Sequence, residues 1–352
     1  MIGIEIFSGV GGMSLGATMA GIEIVMAIEI DKDAASTFKL NHPHTDVIVS
    51  DIKDIKSINV KVAENQQKIL MGGPPCQGFS KSNVKGRNVD NQKNWLFKEY
   101  LRITQLWKPD WFVLENVQGL VETENGLFLK EILKGFDELG YKVNYKVLNA
   151  KNFGVPQSRE RLFIVGSLHN EKFEFPASQF TNDFITVEDA FKDLPDLLNG
   201  NSDVELRYKK KKPSEYGLSL KGDLKTTTNN AVSRNSDKVI ERYQYICEGG
   251  NWRNIPIELM DTYKDVSRCH TGIYHRLNSK KPSVVIGNYR KNMLIHPWQN
   301  RGLSVREAAR LQSFPDNFKF IGTINSQQQQ VGNAVPPLLA KAVFETIIKN
   351  NK

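Results

Sequence analysis

The chain has 352 residues, enough for two domains or for one large domain with an insertion. With 40% hydrophobic and 24% charged residues, the composition excludes wholesale disorder and is sufficient for a packed core. The net charge is +8 and the pI is about 9.1, a balance that is compatible with a polyanionic partner and is also common in proteins without one.

The cysteines argue against a structural metal site and against a disulfide framework. Cys76, Cys247 and Cys269 are an odd number and form no CxxC pair. In a reducing compartment a lone cysteine can instead be a nucleophile. The N-terminus has no basic segment followed by a cleavage site, and no uninterrupted apolar run is long enough to span a bilayer. We therefore expect a cytoplasmic protein without a metal.

The first half of the chain alternates short apolar runs with helix-like stretches, which is the pattern of a parallel α/β sheet. A chemically interesting residue follows most of these runs, and open α/β sheets bind ligands at the carboxyl ends of their strands. The runs that predict strands are Ile2 to Phe7, Ile22 to Ile28, Val47 to Val49, Ile69 to Met71, Trp111 to Leu114 and Arg161 to Gly166.

The character of the sequence changes at about Leu168. From there to about His296 it is polar and irregular, which predicts a separate, smaller domain or a large insertion. After this region, Ser304 to Ser313 has helical spacing, with Ser304 as the N-cap and Glu307 three residues later. Val331 to Ile348 predicts a turn and a final helix.

The segment Phe7 to Gly12 follows the first predicted strand and forms a glycine turn, which lets a ligand approach the backbone. Such turns also bind nicotinamide and flavin cofactors, and some are only tight turns. Glu29 ends the second strand, where a carboxylate can accept hydrogen bonds from two ribose hydroxyls. Asp51 follows the third strand and could accept the amino group of an adenine. Either acid alone is interpretable as a solvated loop residue, but together with the turn they predict an adenosine-containing cofactor.

Two prolines stiffen the backbone immediately before Cys76, within the segment Gly72 to Ser80. A buried cysteine that acts as a small hydrophobic residue is the usual alternative. The prolines and glycines instead predict an exposed turn, where an accessible thiolate can act as a nucleophile.

Two further segments carry charges that could act on a substrate. Glu115 lies at another strand end and could protonate or hydrogen-bond a ring, with a surface acid at a helix cap as the alternative. Arg159 and Arg161 lie on one side of an extended segment. That arrangement suits phosphate or carbonyl contacts, and it is also an ordinary charge pattern for the edge of a strand.

Together these segments resemble the ordered motifs of the cytosine-C5 DNA methyltransferase family, of the bacterial restriction-modification type. The resemblance covers nearly the whole chain apart from its middle, and the combination of Pro-Cys-Gln with Glu-Asn-Val is specific. It rests on six segments in the family's order, which are the glycine turn from Phe7, Pro75-Cys76-Gln77, Glu115-Asn116-Val117, Gln157 to Arg161, Arg301 to Pro315 and Gln330 to Pro336.

The resemblance implies an α/β fold with a Rossmann-like S-adenosylmethionine methyltransferase sheet. Residues 1–167 would form the first part of the catalytic and cofactor-binding domain, and 168–325 a smaller, irregular and mostly β target-recognition domain. Residues 326–352 would return to the catalytic domain. The implied reaction is methyl transfer to carbon 5 of cytosine within a specific double-stranded DNA sequence, with the target base flipped out of the duplex.

The resemblance also implies a role for each matching residue. Cys76 is implied as the covalent nucleophile at carbon 6, Glu115 as the group that holds N3 and the exocyclic amine, and Arg161 as the contact to the base carbonyl. Arg159 is implied as a support of the catalytic segment. Ile30 stands where the family often has an aromatic residue against adenine, so we expect an aliphatic contact there. The residues implied to bind S-adenosylmethionine, with S-adenosylhomocysteine as product, are Phe7, Gly9, Gly11, Gly12, Glu29, Ile30, Asp51, Ile52, Pro74, Leu96, Asn333 and Val335.

Candidate DNA contacts lie in two regions. The polar segment from Ser80 to Asn94 matches a loop that closes over DNA in the family, and an ordinary surface loop is the alternative. The candidates at this loop are Gln77, Ser80, Ser82, Lys85 and Arg87. Those in the middle region, where many basic residues are only solvated surface, are Lys209 to Lys212, Arg234, Arg242, Arg253, Arg268, Arg276 and Arg290.

Three alternative functions compete with a DNA methylase. A transfer RNA cytosine methyltransferase would share the motifs, but the long, basic middle region favours duplex DNA. A nicotinamide or flavin oxidoreductase would have no use for Pro75-Cys76-Gln77, and a non-catalytic DNA-binding relative is expected to lack Cys76 or Glu115. The compact chain resembles the methylase of a restriction-modification system, which implies a monomer and a cognate endonuclease acting on the same site.

Overall fold

A computed structural model of the chain describes residues 1–75, 95–169, 173–263, 265–266, 269, 272–287, 289–290 and 293–350. Over these residues the chain forms two compact units. The first contains Met1–Phe153, Glu160–Gln179 and Val335–Lys352, and the second contains Gly154–Arg159 and Phe180–Ala334. Both the beginning and the end of the chain therefore belong to the first unit.

The first unit is built on a seven-stranded sheet. Its strands are β1 (Ile2–Ile6), β2 (Glu23–Glu29), β3 (Asp46–Val49), β4 (Lys68–Gly72), β5 (Trp111–Val117), β6 (Lys142–Asn149) and β7 (Glu160–Ser167). The strand order is β3-β2-β1-β4-β5-β7-β6. The first five strands are parallel, and β7 is antiparallel to both of its neighbours. The order reverses between β1 and β4, which is where open α/β sheets bind ligands.

The predicted α/β sheet is confirmed, because runs of β-branched and large apolar residues form its central strands. β1 is buried along its whole length, and β5 is buried from Trp111 to Asn116, so both faces of these strands are covered. Each of the six predicted strands lies within about three residues of an observed one. β6 has no predicted counterpart, because it is a partly exposed edge strand in which Lys142, Asn144 and Lys146 interrupt the apolar pattern.

In the described part of the first unit, six helices flank the sheet. A stacked pair, Phe112 on β5 and Phe136, has ring centroids 3.6 Å apart and lies at the centre of an aromatic cluster. At Gly16 a Cβ would lie 2.6 Å from the Cβ of Ala340, so this glycine allows the first and last helices of the unit to pack closely. The helices are α1 (Gly12–Met19), α2 (Lys32–Asn41), α3 (Phe97–Trp107), α4 (Gly119–Glu122), α5 (Leu127–Glu138) and α11 (Pro337–Asn350).

The second unit is irregular, as predicted, but its described residues form more helix than strand. Its helices are α6 (Val187–Phe191), α7 (Glu215–Lys221), α8 (Asp237–Gln244), α9 (Val305–Leu311) and α10 (Ile324–Asn333), and its strands are β8 (Leu206–Arg207) and β9 (Thr226–Thr227). The expectation of a mostly β composition is therefore corrected for these residues. Side-chain N-caps begin several of the short helices, including Thr186, Ser214 and Ser304. At Ser304 the predicted capping box with Glu307 is confirmed.

Buried ion pairs hold the irregular segments of the second unit together. Arg310 on α9 donates to Asp193 and to Asp316, both at 2.6 Å, and all three side chains are fully buried. Arg301 forms a two-bond pair with Glu307 at 2.6 and 2.8 Å. Such pairs tie distant segments to α9 because each buried charge needs its partner.

Among the described residues, the stretch Ile324–Asn350, which includes α10 and α11, is long and apolar enough to cross a membrane by length and composition alone. The sequence reasoning did not anticipate it. In the folded protein 61% of its most apolar window is buried, as in the core helix of a soluble protein.

Candidate active site

The turn between β1 and α1 has a backbone that favours glycine. Phe7, Gly9 and Gly11 have positive φ angles of 54°, 53° and 85°, and the left-handed conformation is costly for residues other than glycine. At Gly11 a Cβ would lie 2.7 Å from side-chain atoms of Phe38 and His42, whereas at Gly9 it would meet nothing within 4 Å. The turn is therefore packed at Gly11 and open at Gly9, where a ligand can approach the backbone.

Glu29 holds the glycine turn from the end of β2. Its Oε2 accepts a hydrogen bond from the Gly9 N–H at 2.7 Å, and its Oε1 accepts one from the Asp31 N–H at 2.8 Å. Burial raises the pKa of Glu29 above its ordinary value. Two carboxylate oxygens offer about four acceptor positions, so positions remain for ligand hydroxyls. The next residue, Ile30, is 64% exposed and presents an apolar side chain beside this carboxylate.

Asp51 lies at the end of the neighbouring strand, β3. The Ser50 N–H donates to the Glu29 carbonyl at 3.1 Å, which holds the start of the Asp51 turn beside Glu29. Asp51 Oδ1 accepts from the Lys53 N–H at 3.0 Å and caps a single 3-10 turn, Ile52–Asp54. The Ile52 side chain is 4% exposed and belongs to the core of the first unit. The two acids predicted to bind an adenosine group therefore lie at adjacent strand ends.

Ser8 adds a polar group that the sequence reasoning did not single out. It is 5% exposed, and its Oγ has no hydrogen-bond partner among the residues that the structure describes. A buried hydroxyl without a partner costs free energy, which a polar ligand group would recover. With the open backbone at Gly9 and the acids at Glu29 and Asp51, this turn fits an adenosine-containing cofactor such as S-adenosylmethionine.

Glu5 is a second residue that the sequence reasoning missed. It lies in β1, is 2% exposed, and accepts hydrogen bonds from the N–H of Ser14 at 3.1 Å and from its hydroxyl. Burial raises the pKa of Glu5 to about 8, and the carboxylates of Glu29 and Glu115 act in the same direction. Because Ser14 is in the first turn of α1, Glu5 holds the far side of the glycine turn. A single acid inside an apolar, fully buried strand is the signal that could have identified it.

The predicted catalytic pair, Glu115 and Arg161, is brought together by the antiparallel strands β5 and β7. Arg161 Nε lies 2.8 Å from Glu115 Oε1, and both side chains are largely buried. Arg161 also donates from Nη1 to the carbonyl of Glu160 at 2.7 Å. An arginine and a carboxylate held in this way offer a planar donor group next to an acceptor. This arrangement suits a nucleobase whose edge carries both hydrogen-bond acceptors and donors.

The chain that leads to Cys76 passes directly against this pair. At Gly73 a Cβ would lie 2.7 Å from Glu115 Oε2, so only glycine leaves room for the carboxylate there. Asn116 Nδ2 donates to the Pro74 carbonyl at 3.2 Å. The Asn116 contact was not predicted as such, although the residue belongs to the Glu-Asn-Val segment. Both contacts fix the backbone two to three residues before the predicted nucleophile.

Several predicted site residues lie outside the described residues, namely Cys76, Gln77, Ser80, Ser82, Lys85, Arg87 and Arg268. Leu96 directly precedes α3 and is partly exposed, while Pro74 is buried beside Gly73. Val335 is buried and belongs to the first unit.

Arg159 lies in the second unit, where it is 1% exposed. Its Nη2 donates to the carbonyls of Gly332 at 3.0 Å and Ala334 at 3.1 Å. These carbonyls flank Asn333 at the carboxyl end of α10, a position that favours a cation. Asn333 Oδ1 accepts from Gln329 Nε2 at 2.7 Å. Within this unit Arg159 therefore fixes the backbone around Asn333.

Two candidate DNA contacts have another role in the structure. Arg276 is 5% exposed, and all five of its N–H groups donate within the second unit, four of them to backbone carbonyls. Arg242 is 3% exposed and donates to Leu259, Thr262 and Tyr274. No donor of Arg276 remains for a phosphate, and Arg242 is almost completely buried, so neither arginine is proposed as a DNA contact. Arg290 is exposed.

A mostly parallel sheet with an open glycine turn, two acids at adjacent strand ends and a buried Glu–Arg pair is typical of an α/β enzyme with a site for an adenosine cofactor. The family model for C-5 cytosine-specific DNA methylases matches residues 1–349. The chain belongs to this family, as the motifs predicted.

Similar proteins agree with this assignment. The chain is 39% identical over 352 residues to the Type II methyltransferase M1.HphI of Haemophilus parahaemolyticus, covering 99% of this chain and 87% of that protein. It is 32% identical over 366 residues to the Type II methyltransferase M.DdeI of Desulfomicrobium norvegicum, with 98% and 88% covered. A solved structure of a prophage-encoded DNA modification methyltransferase of E. coli matches with a TM-score of 0.79 at 26% identity and full coverage of both chains.

Proposed function

We propose that this chain transfers a methyl group from S-adenosylmethionine to carbon 5 of cytosine within a specific double-stranded DNA sequence. The observation that carries the proposal is the 2.8 Å pair between Glu115 and Arg161, which lies against Gly73. Gly73 is three residues before Cys76. The pair that we assign to base binding therefore contacts the chain three residues before the proposed nucleophile.

The reaction needs a covalent step because carbon 5 of cytosine is too weak a nucleophile to take a methyl group directly. The Cys76 thiolate adds to carbon 6, forming a C–S bond and moving electron density through the ring onto carbon 5. Glu115 holds N3 and the exocyclic amine, so that the charge developing in the ring is neutralised by a proton at N3. Arg161 binds the base carbonyl. After the methyl group is added, a base removes the proton on carbon 5, the 5,6 double bond re-forms, and the thiolate leaves.

The cofactor site is assigned to the glycine turn and the acidic strand ends. When bound, S-adenosylmethionine supplies the methyl group. Glu29 would bind the ribose hydroxyls, Asp51 the adenine amino group, and Ile30 would lie against the adenine. Ser8 would donate to or accept from a polar group of the cofactor through its unpartnered hydroxyl. The other residues assigned to cofactor binding are Phe7, Gly9, Gly11, Gly12, Ile52, Pro74, Leu96, Asn333 and Val335.

We assign recognition of the DNA target sequence to residues 168–325, most of which belong to the second unit. The exposed basic residues of this segment, Arg290 among them, would bind phosphates. The target cytosine must leave the duplex to reach Cys76, as in other enzymes that modify bases. Because the relatives are Type II methyltransferases, we propose that the chain acts in the cytoplasm as the monomeric methylase of a restriction-modification system with a cognate endonuclease. Transfer RNA as substrate is less favoured, since the matching family model is that of C-5 cytosine-specific DNA methylases.

The test is methylation of unmethylated genomic DNA by the purified protein with S-adenosylmethionine, mapped by bisulfite sequencing. Cys76→Ser and Lys134→Met, an exposed residue of α5, run in parallel. We expect 5-methylcytosine at one short recurring sequence with the wild type and with Lys134→Met, and none with Cys76→Ser. No methylation of DNA by the wild type, or equal methylation by the Cys76 variant, would contradict the proposal.

A further inference from the structure

Arg102 connects α3 to the turn that follows β3. Its Nη1 donates to the Ile55 carbonyl at 2.6 Å and its Nη2 to the Ile52 carbonyl at 2.7 Å. Its Nε donates to Glu99 Oε2, one helical turn earlier, at 2.7 Å. One guanidinium thus holds two carbonyls of the same turn while a carboxylate orients it from behind, and the planar fork makes this arrangement specific for arginine.

The turn after β3 is a single 3-10 turn, Ile52–Asp54, capped at its start by Asp51. Within the turn, the Asp54 N–H donates to the Asp51 carbonyl at 2.9 Å and the Ile55 N–H to the Ile52 carbonyl at 3.2 Å. The Ile52 carbonyl therefore accepts from the Ile55 N–H and from Arg102, and the Ile55 carbonyl, which lies just past the turn, accepts from Arg102. The buried Ile52 side chain fixes where the turn lies, and Arg102 fixes how its backbone is oriented. Both residues therefore determine where the Asp51 carboxylate is directed.

We propose that Arg102 is a positioning residue for the adenine end of the cofactor site, acting through Asp51. This inference rests on the proposed function, in which Asp51 accepts the adenine amino group. The Arg102 side chain is about a third exposed, so water can replace its hydrogen bonds and its loss costs little stability. The Asp51 carboxylate is held by the Lys53 N–H of the turn at 3.0 Å, so its direction follows the orientation of that turn.

The other end of the cofactor site does not depend on Arg102. The glycine turn is held by Glu29 and by Glu5, which bond to Gly9 and Ser14. An Arg102 variant should therefore affect recognition of the adenine and spare the rest of the ligand. That separation distinguishes a positioning role from a general loss of structure.

The experiment measures binding of S-adenosylhomocysteine and of S-inosylhomocysteine, in which an oxygen replaces the adenine amino group, by calorimetry. The variants are Arg102→Met, Arg102→Lys and Glu99→Gln, with Lys134→Met as a control for loss of a surface cation. We expect Arg102→Met to weaken S-adenosylhomocysteine binding about tenfold and to leave binding of the inosyl analogue nearly unchanged. Arg102→Lys should recover part of the loss, and Glu99→Gln should show a smaller one.

Steady-state kinetics give an independent readout. For Arg102→Met, KM for S-adenosylmethionine should rise about tenfold while kcat at saturating cofactor stays near the wild-type value. Equal losses for both ligands, or unchanged binding of both, would overturn the positioning role. If the wild type binds neither ligand, the proposed function itself fails, so the two failures are distinguishable.

Discussion

Replacing Glu5 with glutamine exchanges a buried carboxyl group for a neutral amide of nearly the same shape. Both Ser14 contacts go to the same oxygen, Glu5 Oε2, so a glutamine carbonyl oxygen at that position can accept from the Ser14 N–H and from its hydroxyl. The substitution therefore removes the ionisation of one buried acid with little change in packing.

The pH dependence of this change follows from the pKa of Glu5, which burial raises from 4.5 to about 8. Between these values the folded protein keeps a proton on Glu5 that the unfolded chain has lost. The stability contributed by the protonated acid is therefore fully present below pH 4.5 and is lost as the pH rises through about 8. Since one pH unit corresponds to about 1.4 kcal/mol, Glu5→Gln should gain at most about 5 kcal/mol over the wild type across this range.

The assay is urea unfolding of wild type and variant at several pH values from 5 to 8, followed by tryptophan fluorescence. Glu23→Gln is the matched control, since Glu23 begins β2 with an exposed side chain. We expect the free energy of unfolding of Glu5→Gln relative to wild type to rise with pH, while Glu23→Gln follows the wild type. If the difference in free energy of unfolding between Glu5→Gln and the wild type stays constant or falls as the pH rises, the assignment of a protonated Glu5 is refuted.

Three further predictions concern other positions. Gly73→Ala should lower kcat about 100-fold with the fold retained, because its Cβ would lie 2.7 Å from Glu115 Oε2 and displace that carboxylate. Arg310→Met should lower the free energy of unfolding by about 3 to 5 kcal/mol in urea titrations, because it leaves two buried carboxylates without their main partner. Arg276→Ala should destabilise the protein by about 1 to 3 kcal/mol, whereas Arg290→Ala should instead reduce the salt dependence of DNA binding.

Each of these predictions has an outcome that contradicts it. Wild-type kcat in Gly73→Ala would show that the Glu115 carboxylate can move without cost. Unchanged unfolding of Arg310→Met would mean that the buried pairs carry no net stability. A lower salt dependence of DNA binding in Arg276→Ala, with stability intact, would return Arg276 to the set of phosphate contacts.

The strand ends were predictable because acidic site residues directly follow apolar runs in the sequence. Glu29 and Asp51 follow apolar runs, and the parallel arrangement of those runs brings their carboxyl ends to one edge of the sheet. Glu115 was also placed correctly at this edge, although β5 continues two residues beyond it. The pattern of apolar runs was therefore sufficient to predict most strands of the first unit.

The remaining features depend on contacts that no local pattern contains. Whether Arg276 faces DNA or donates to carbonyls is decided by segments about 20 to 30 residues away. Arg102 lies in an ordinary amphipathic helix, and its partners Ile52 and Ile55 are about 50 residues earlier. β6 could not be recognised from the sequence because it carries too many polar residues. Its strand conformation depends instead on backbone pairing with β7.

The covalent role of Cys76 is the central claim, and trapping the adduct tests it most directly. The substrate is a duplex with the sequence found by bisulfite mapping and with 5-fluorocytosine at the target position. This base lacks the carbon 5 proton that must leave before the thiolate can depart. With S-adenosylmethionine, the wild type should form a protein–DNA complex that survives denaturing electrophoresis, and Cys76→Ser should form none. An adduct that forms equally with the serine variant, or no adduct with a wild-type protein that methylates ordinary DNA, would contradict the assignment of Cys76 as the nucleophile.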